Sequence, residues 1–364
     1  MNSQIVIVMP CLNEEASMVE ACNSLGFGLG ELCYNLSAFL IIVDNNSTDS
    51  TRKVAQEIQN SSPPNHVFII FEKEKGFIPA RKSGNQHAIF VCGEIGINIS
   101  NVVILQVDAD TIYPYFYVES MKAAAEKYGK NFLVEACVDY TPEFRHENNN
   151  YIDLLEKTDA HYEKLFLKLQ DYIVDDKVVA YWLSDYIKWG GHTREYTSNG
   201  NEIFAETTRL FLKGQITGAE KRNIGSIKAY HSERKIVENP SMHFATAGFP
   251  RESGWEILWM ENNDAVNLQN VDVVSFSEPV FARILHIIGL FYILPIHVGR
   301  TLNGNKDMQG DNLTQFFLSL IPNRSKKEMQ NTPGVFLTDV FAAIDNNPTV
   351  IKYEIDNYLR DLIK

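Results

Sequence analysis

Several features are missing from this chain, and each absence removes a class of protein. No C-x-x-C pair occurs: the five cysteines, Cys11, Cys22, Cys33, Cys92 and Cys137, are odd in number and all lie before residue 140. That pattern suits neither a zinc site nor a disulfide framework, so reduced and mostly buried thiols are expected. Basic charge is in deficit, with 33 Lys plus Arg against 46 Asp plus Glu, a net charge of −13. Such a balance repels phosphate backbones and argues against nucleic acid as a partner. There is no internal repeat and no low-complexity tract. The first apolar run has no basic segment before it, so no secretory signal is read and a cytoplasmic protein is expected. The remaining composition, 45% hydrophobic and 22% charged, is that of a globular protein. A length of 364 residues exceeds what one compact core usually organises.

What is present begins with alternation. Apolar runs at 4–9, 39–43, 67–71 and 102–107 are separated by helical patterns at 14–25 and 79–90. Ser47 or Thr48 is placed to cap a further helix after the second run, with Asp49 in its first turn. Continuous β-branched runs imply strands buried on both faces, hence an α/β fold with a mostly parallel central sheet flanked by helices. Ligands of such sheets bind beyond the carboxyl ends of the strands. There the chain places Asn13 and Glu14, then Asp44, then Asp108 and Asp110. Residues 151–186 read as a long charged helix or helix pair, and the C-terminal region reads as helical. Three segments are expected: 1–140 and 141–275 as the two halves of one domain, and 276–364 as a helical extension. The apolar stretch Val280 to Val298 is long enough to span a bilayer. However, it contains Arg283, His286, His297 and Pro295, so burial against the protein is favoured over contact with a membrane surface.

Asp108-x-Asp110 supplies two hard oxygen ligands at a strand end, suited to Mn²⁺ or Mg²⁺ bridging a diphosphate. Asp44 reads as a carboxylate accepting hydrogen bonds from a base or ribose. The basic segment Lys73 to Gly84, with the planar fork of Arg81, could neutralise a diphosphate or simply be a solvated loop. The triplet Gly26-x-Gly28-x-Gly30 lies too far beyond the first strand to be a dinucleotide fingerprint, which disfavours an NAD fold.

Together these motifs resemble the family 2 glycosyltransferases. Met9-Pro10-Cys11-Leu12-Asn13-Glu14 is similar to that family's P-x-x-N-E turn, and Val43-Asp44-Asn45-Asn46-Ser47-Thr48-Asp49 to its V-D-[DN]-x-S-x-D segment. Gly76 to Gly84, containing Ala80-Arg81, resembles G-x-x-x-A-R-N-x-G with Lys82 in place of Asn. Asp108-Ala109-Asp110 falls where the D-x-D lies. The resemblance implies a GT-A fold and transfer, with inversion, of a sugar from a nucleotide diphosphate to a saccharide or lipid-linked acceptor. The site implied comprises Pro10, Asn13, Glu14, Asp44, Arg81 and Asp108 around the donor. Asp108 and Asp110 hold the metal, joined by a late-strand histidine, His243 or His231.

Downstream the likeness thins. Asn201 to Ala205 and Val237 to Gly248 resemble the acceptor-side segment and the last core strand. The family's Glu-Asp pair would then fall near Gly225-Ser226-Ile227, where there is no acid. Glu220 is the nearest candidate for the general base. The alternative is a nucleotide-sugar-binding protein with little transferase activity, and a nucleotidyltransferase ranks last. Localisation at the inner face of a membrane is left open.

Overall fold

The computed structural model describes residues 3–28, 37–246, 248–249, 251, 267–304 and 312–363. Cys33 and Gly30 lie outside the described residues, as does much of the loop that begins at Asn303. The chain forms two compact units that interleave in sequence. Unit 1 comprises Met1–Thr141, Val174–Arg194 and Glu206–Ser232, and unit 2 comprises Pro142–Ile173, Glu195–Ala205 and Glu233–Lys364. Two excursions, 142–173 and 195–205, leave unit 1 and return to it.

Unit 1 holds one eight-stranded sheet. Its strands are β1 (Gln4–Cys11), β2 (Ala38–Asp44), β3 (Val67–Phe71), β4 (Val102–Gln106), β5 (Thr111–Ile112), β6 (Phe132–Asp139), β7 (Val179–Trp182) and β8 (Glu220–His231). They lie in the order β3-β2-β1-β4-β7-β6-β8-β5. The four strands on the β3 side are parallel, as the apolar runs imply. β7 then runs antiparallel to both β4 and β6, β6 is parallel to β8, and β5 is antiparallel to β8. The sheet is thus mixed, and β7 falls inside the stretch expected to be all helix. Val179 to Trp182 is buried throughout, but four residues are too few to show a period against the charged sequence around them.

Helices α1 (Met18–Ser24), α2 (Thr51–Ser61), α3 (Phe77–Glu94), α4 (Tyr117–Tyr128), α7 (Leu183–Lys188) and α8 (Glu206–Gln215) complete unit 1. Alternate β1 residues Ile5, Ile7 and Met9 join the core made with α1, α2 and α4. Val8 points the other way, toward α3. There Gly84 allows close approach: a Cβ on Gly84 would sit 2.3 Å from Val8 Cγ1 and 3.1 Å from Val43 Cγ2. Cys11, Cys22 and Cys92 are free and buried, and Cys137 is free and half-buried. Burial pushes the Cys22 thiol up to about 12, which leaves it inert.

Unit 2 is helical: α5 (Pro142–Glu147), α6 (Asn149–Tyr162), α9 (Arg234–Glu238), α10 (Pro240–Thr246), and further helices from residue 277 on. The segment expected to carry the last core strand, Val237 to Gly248, is mostly α9 and α10. The last strand of the sheet is instead β8. The apolar stretch around Val280 lies in one helix, Ser277–Asn303, and 78% of its most apolar window is buried inside the protein. Pro295 does not break this helix, because a π-helical turn at Gly289–Ile293 directly precedes it and absorbs the missing hydrogen bond.

Replacing Gly84 with alanine should overpack the α3–β1 contact and cost about 1–3 kcal/mol. The measurement is the denaturant midpoint, and an unchanged midpoint would refute the close approach.

Candidate functional site

Register brings the carboxyl ends of the parallel strands together. Cys11 pairs with Asp44, Asp44 pairs with Phe71, and Val107 N donates to Val8 O at 3.1 Å. The loops that leave β1, β2 and β4 therefore start side by side, as the sequence implied.

The first two loops are laced to each other. Asn13 N donates to Ser47 Oγ (3.0 Å), Glu14 N to Thr51 Oγ1 (2.7 Å) and Glu15 N to Asp49 Oδ2 (3.3 Å). In return, Thr48 N donates to Asn13 Oδ1 (2.8 Å) and Ser50 N to Glu15 Oε2 (2.7 Å). Asn13 and Asn46 adopt positive φ of 56° and 64°, which asparagine tolerates better than most residues. Asn45 and Asn46 reach across to the loop after β3. Their Nδ2 atoms donate to the carbonyls of Glu72, Lys73 and Glu74, while Gly76 N donates to Asn45 Oδ1. The basic loop is thereby held against the rim.

Asp44 is 1% exposed. Its Oδ1 accepts from Ser47 N at 3.0 Å and its Oδ2 from Arg52 Nε at 3.3 Å. It shapes the turn that Ser47 or Thr48 was expected to cap, and α2 starts only at Thr51. Pro10 ends in the sheet, paired with Val43.

Asp108 follows β4. Its N–H donates to Tyr113 Oη at 2.9 Å, and that hydroxyl donates to Lys177 O at 3.0 Å, tying the turn at Asp108 to the one at Asp175–Lys177. Arg81 lies beneath, on α3, and is 3% exposed. Its Nη2 meets Asp108 Oδ1 at 2.9 Å and its Nε meets Glu206 Oε1 at 2.7 Å. Burial opposes the Arg81 charge, but Asp108, Asp176 and Glu206 together hold it protonated. Arg81 Nη1 and Asp176 Oδ1 are buried without a hydrogen-bond partner. Burial first, and the Glu206 charge second, push the Asp176 carboxyl well above its usual range. Gln106 Nε2 donates to Asp176 O and to Thr207 Oγ1, both at 2.9 Å.

Glu206 and Asp176 are functional candidates that the sequence reading passed over. Glu206 opens α8, and the signal was an acid at the start of an apolar helical pattern, overlooked because the acidic pair was sought nearer β8. Asp176 sits in a run of charges, Asp175-Asp176-Lys177, read as helix surface.

The remaining candidates are placed differently. Glu220 begins β8, in register with Phe132, the first residue of β6. β6 and β8 run parallel to the strands whose far ends form the rim, so Glu220 lies at the opposite edge of the sheet. There it is exposed and ion-paired with Arg222 at 2.5 Å. The structure does not bring it to Asp108. Gly225 to Ile227 occupy an irregularity in β8, where the β6 pairing shifts from Ile224 to Lys228. His243 lies on α10 in unit 2. His231 ends β8 opposite Thr111, one residue beyond Asp110. Among the described residues no group of three or more His, Cys, Asp or Glu side chains is assembled as a metal site.

Below the site, Glu135 on β6 accepts from Asp175 N at 2.6 Å and from Lys221 Nζ at 3.0 Å. Burial raises its carboxyl to about 7 despite Lys221. Between the unfolded value near 4.3 and about 7, the folded protein binds a proton that the unfolded chain has lost. This group therefore makes stability fall as pH rises through that window. Glu135→Gln should flatten that fall, as read from denaturation midpoints between pH 4.5 and 7.5; an unaltered slope would place the titration elsewhere.

The sequence model of the family described as Glycosyl transferase family 2 matches residues 6–178. No curated protein matches the chain. Among solved structures, it is similar to a mannosyltransferase from Pyrobaculum calidifontis in complex with GDP-Man and Mn²⁺. That likeness has 13% identity and a TM-score of 0.48, covering 95% of this chain and 87% of that one. It is also similar to TarS 1–349 from S. aureus, at 11% identity and a TM-score of 0.44, covering 97% and 92%. The glucosyl-3-phosphoglycerate synthase from Mycobacterium tuberculosis, in complex with Mn²⁺, UDP-Glc and phosphoglyceric acid, is 15% identical with a TM-score of 0.38, covering 66% and 75%.

Proposed function

We propose, from the match of residues 6–178 to the model of glycosyl transferase family 2, that this GT-A-like chain is an inverting, metal-dependent glycosyltransferase. Its donor is a nucleoside diphosphate sugar and its acceptor a hydroxyl. The observation that carries the reading is the Asp108–Arg81–Glu206 chain at the rim of the sheet.

The donor's nucleoside lies at the β2 end of the rim and its diphosphate at the Asp108 end. Asp108 and Asp110 are the residues that would hold Mn²⁺ or Mg²⁺. Two carboxylates suffice for such an ion, because it keeps waters and takes phosphate oxygens as further ligands. His231, whose register partner Thr111 directly follows Asp110, is a better third candidate than His243. The ion supplies positive charge that offsets the charge developing on the leaving diphosphate.

The general base moves from Glu220 to Glu206. Of the two buried acids around Arg81, burial and the Glu206 charge favour the protonated form of Asp176, and Glu206 is the one ion-paired with Arg81 Nε. Glu206 takes the proton of the acceptor hydroxyl as its oxygen attacks the anomeric carbon. The bond from that carbon to the diphosphate oxygen breaks, the nucleoside diphosphate leaves with the electron pair, and configuration inverts. The competing reading, a binding protein without transferase activity, drew on the missing acids near Gly225; Glu206 supplies one from α8.

Asp110→Ala should remove the metal-dependent part of donor affinity in calorimetry while leaving the thermal midpoint in place; unchanged affinity would refute the metal role. Glu206→Gln should lower turnover by about 10²–10⁴-fold with donor affinity retained. Undiminished turnover would remove Glu206 from the reaction.

A further inference from the structure

We infer that Arg52 reads the donor's nucleobase and selects one with two adjacent acceptors, guanine before uracil, while Asp44 acts through it as a positioning residue. This rests on the donor reading above and adds to it the identity of the base and of the residue that recognises it.

Arg52 sits in the first turn of α2, beside the end of β2. Its Nε donates to Asp44 Oδ2 at 3.3 Å, and its guanidinium carbon lies 3.8 Å from the centroid of the Phe71 ring. Asp44 and Phe71 are register partners on adjacent strands, so the sheet fixes both supports. The guanidinium is held at its inner nitrogen and on one face, yet the side chain is 62% exposed. Among the described residues its two Nη atoms have no partner. A surface arginine normally loses rotamer entropy on binding. Here part of that ordering is already in place, which is preorganisation of a binding group. Asp44 cannot meet a base directly in this arrangement, because it is 1% exposed with both oxygens engaged. Its carboxylate instead aims the fork.

A fork of two N–H donors matches two neighbouring acceptors. Guanine offers O6 and N7 together, and uracil offers O4 alone. Adenine and cytosine place an amino donor on the corresponding edge, which opposes the fork. A phosphate would also accept it, but with no preference for the base.

The test is calorimetric titration of the full chain with GDP, UDP, ADP and CDP in the presence of Mn²⁺. GDP should bind tightest and UDP next, with ADP and CDP weakest. In Arg52→Ala and in Arg52→Lys the advantage of GDP over ADP should shrink by about tenfold or more, with ADP and CDP little changed. Arg52→Lys keeps the charge over Phe71 and beside Asp44, so it answers the question even if the alanine variant folds poorly. Asp44→Asn should narrow the same ratio, which a purely structural role would leave alone. Equal weakening of all four nucleotides would make phosphate the partner of Arg52 and overturn the assignment, as would an unaltered ratio of GDP to ADP affinity. If the unsubstituted protein binds none of the four, the donor reading itself fails and the assignment falls with it.

Discussion

A single buried guanidinium organises the rim. Arg81 is 3% exposed and holds Asp108 with one nitrogen and Glu206 with another. Taking an ion out of water costs several kcal/mol, and only close partners return it. Glu206, 4% exposed, could not keep its charge at this depth without the cation, and the cation is held there by Glu206 and by the more exposed Asp108. Asp176 completes the balance by giving up its charge, since burial and the nearby Glu206 favour its protonated form. The rim is therefore fixed by charge balance as well as by packing. It couples α3, the turn after β4, the turn before β7 and the start of α8, which are far apart in sequence.

The asparagine-rich motifs work on the backbone. Asn13 takes a hydrogen bond from Thr48 N, while Asn45 and Asn46 donate to three consecutive carbonyls of the loop after β3. These side chains turn three loops into one rigid border in which other residues can face a ligand. Asp44 lies 1% exposed within that border, while Arg52, which belongs to no motif, stands exposed above it.

Legibility followed the physics. β1, β2 and β4 were readable because strands buried on both faces must be apolar throughout, and the ends of β2 and β4 located Asp44 and Asp108; β3, a half-buried edge strand, is apolar as well. β7 was not readable, because its four buried residues sit between charged segments and are paired only through contacts distant in sequence. β8 was missed for a different reason. As an edge-proximal strand it alternates poorly, with most of Glu220 to Ser226 exposed or half-buried, and its pairing is interrupted where Gly225 to Ile227 fall. With that strand misplaced to Val237 through Gly248, the base was sought beside it and α8 was passed over. Glu220 instead opens β8 in register with Phe132, and His243 lies on α10.

The apolar helix Ser277–Asn303 shows the same limit from the other side. Composition alone makes it a candidate to cross a membrane. What marks it as a core helix of unit 2 is the fate of its polar residues. Arg283 forks onto Asp159 and donates to Phe244 O, His297 meets Asp339, and Arg300 donates to Leu318 O and Ile321 O. Most of these buried polar groups meet a protein acceptor at a defined position, as a packed interior requires, although Arg300 Nε and His297 Nδ1 have none. Gly289 adds a backbone approach, since a Cβ there would meet Ile344 at 2.4 Å. A hydropathy window averages over these residues and so discards the features that tell protein from lipid as the helix's surroundings.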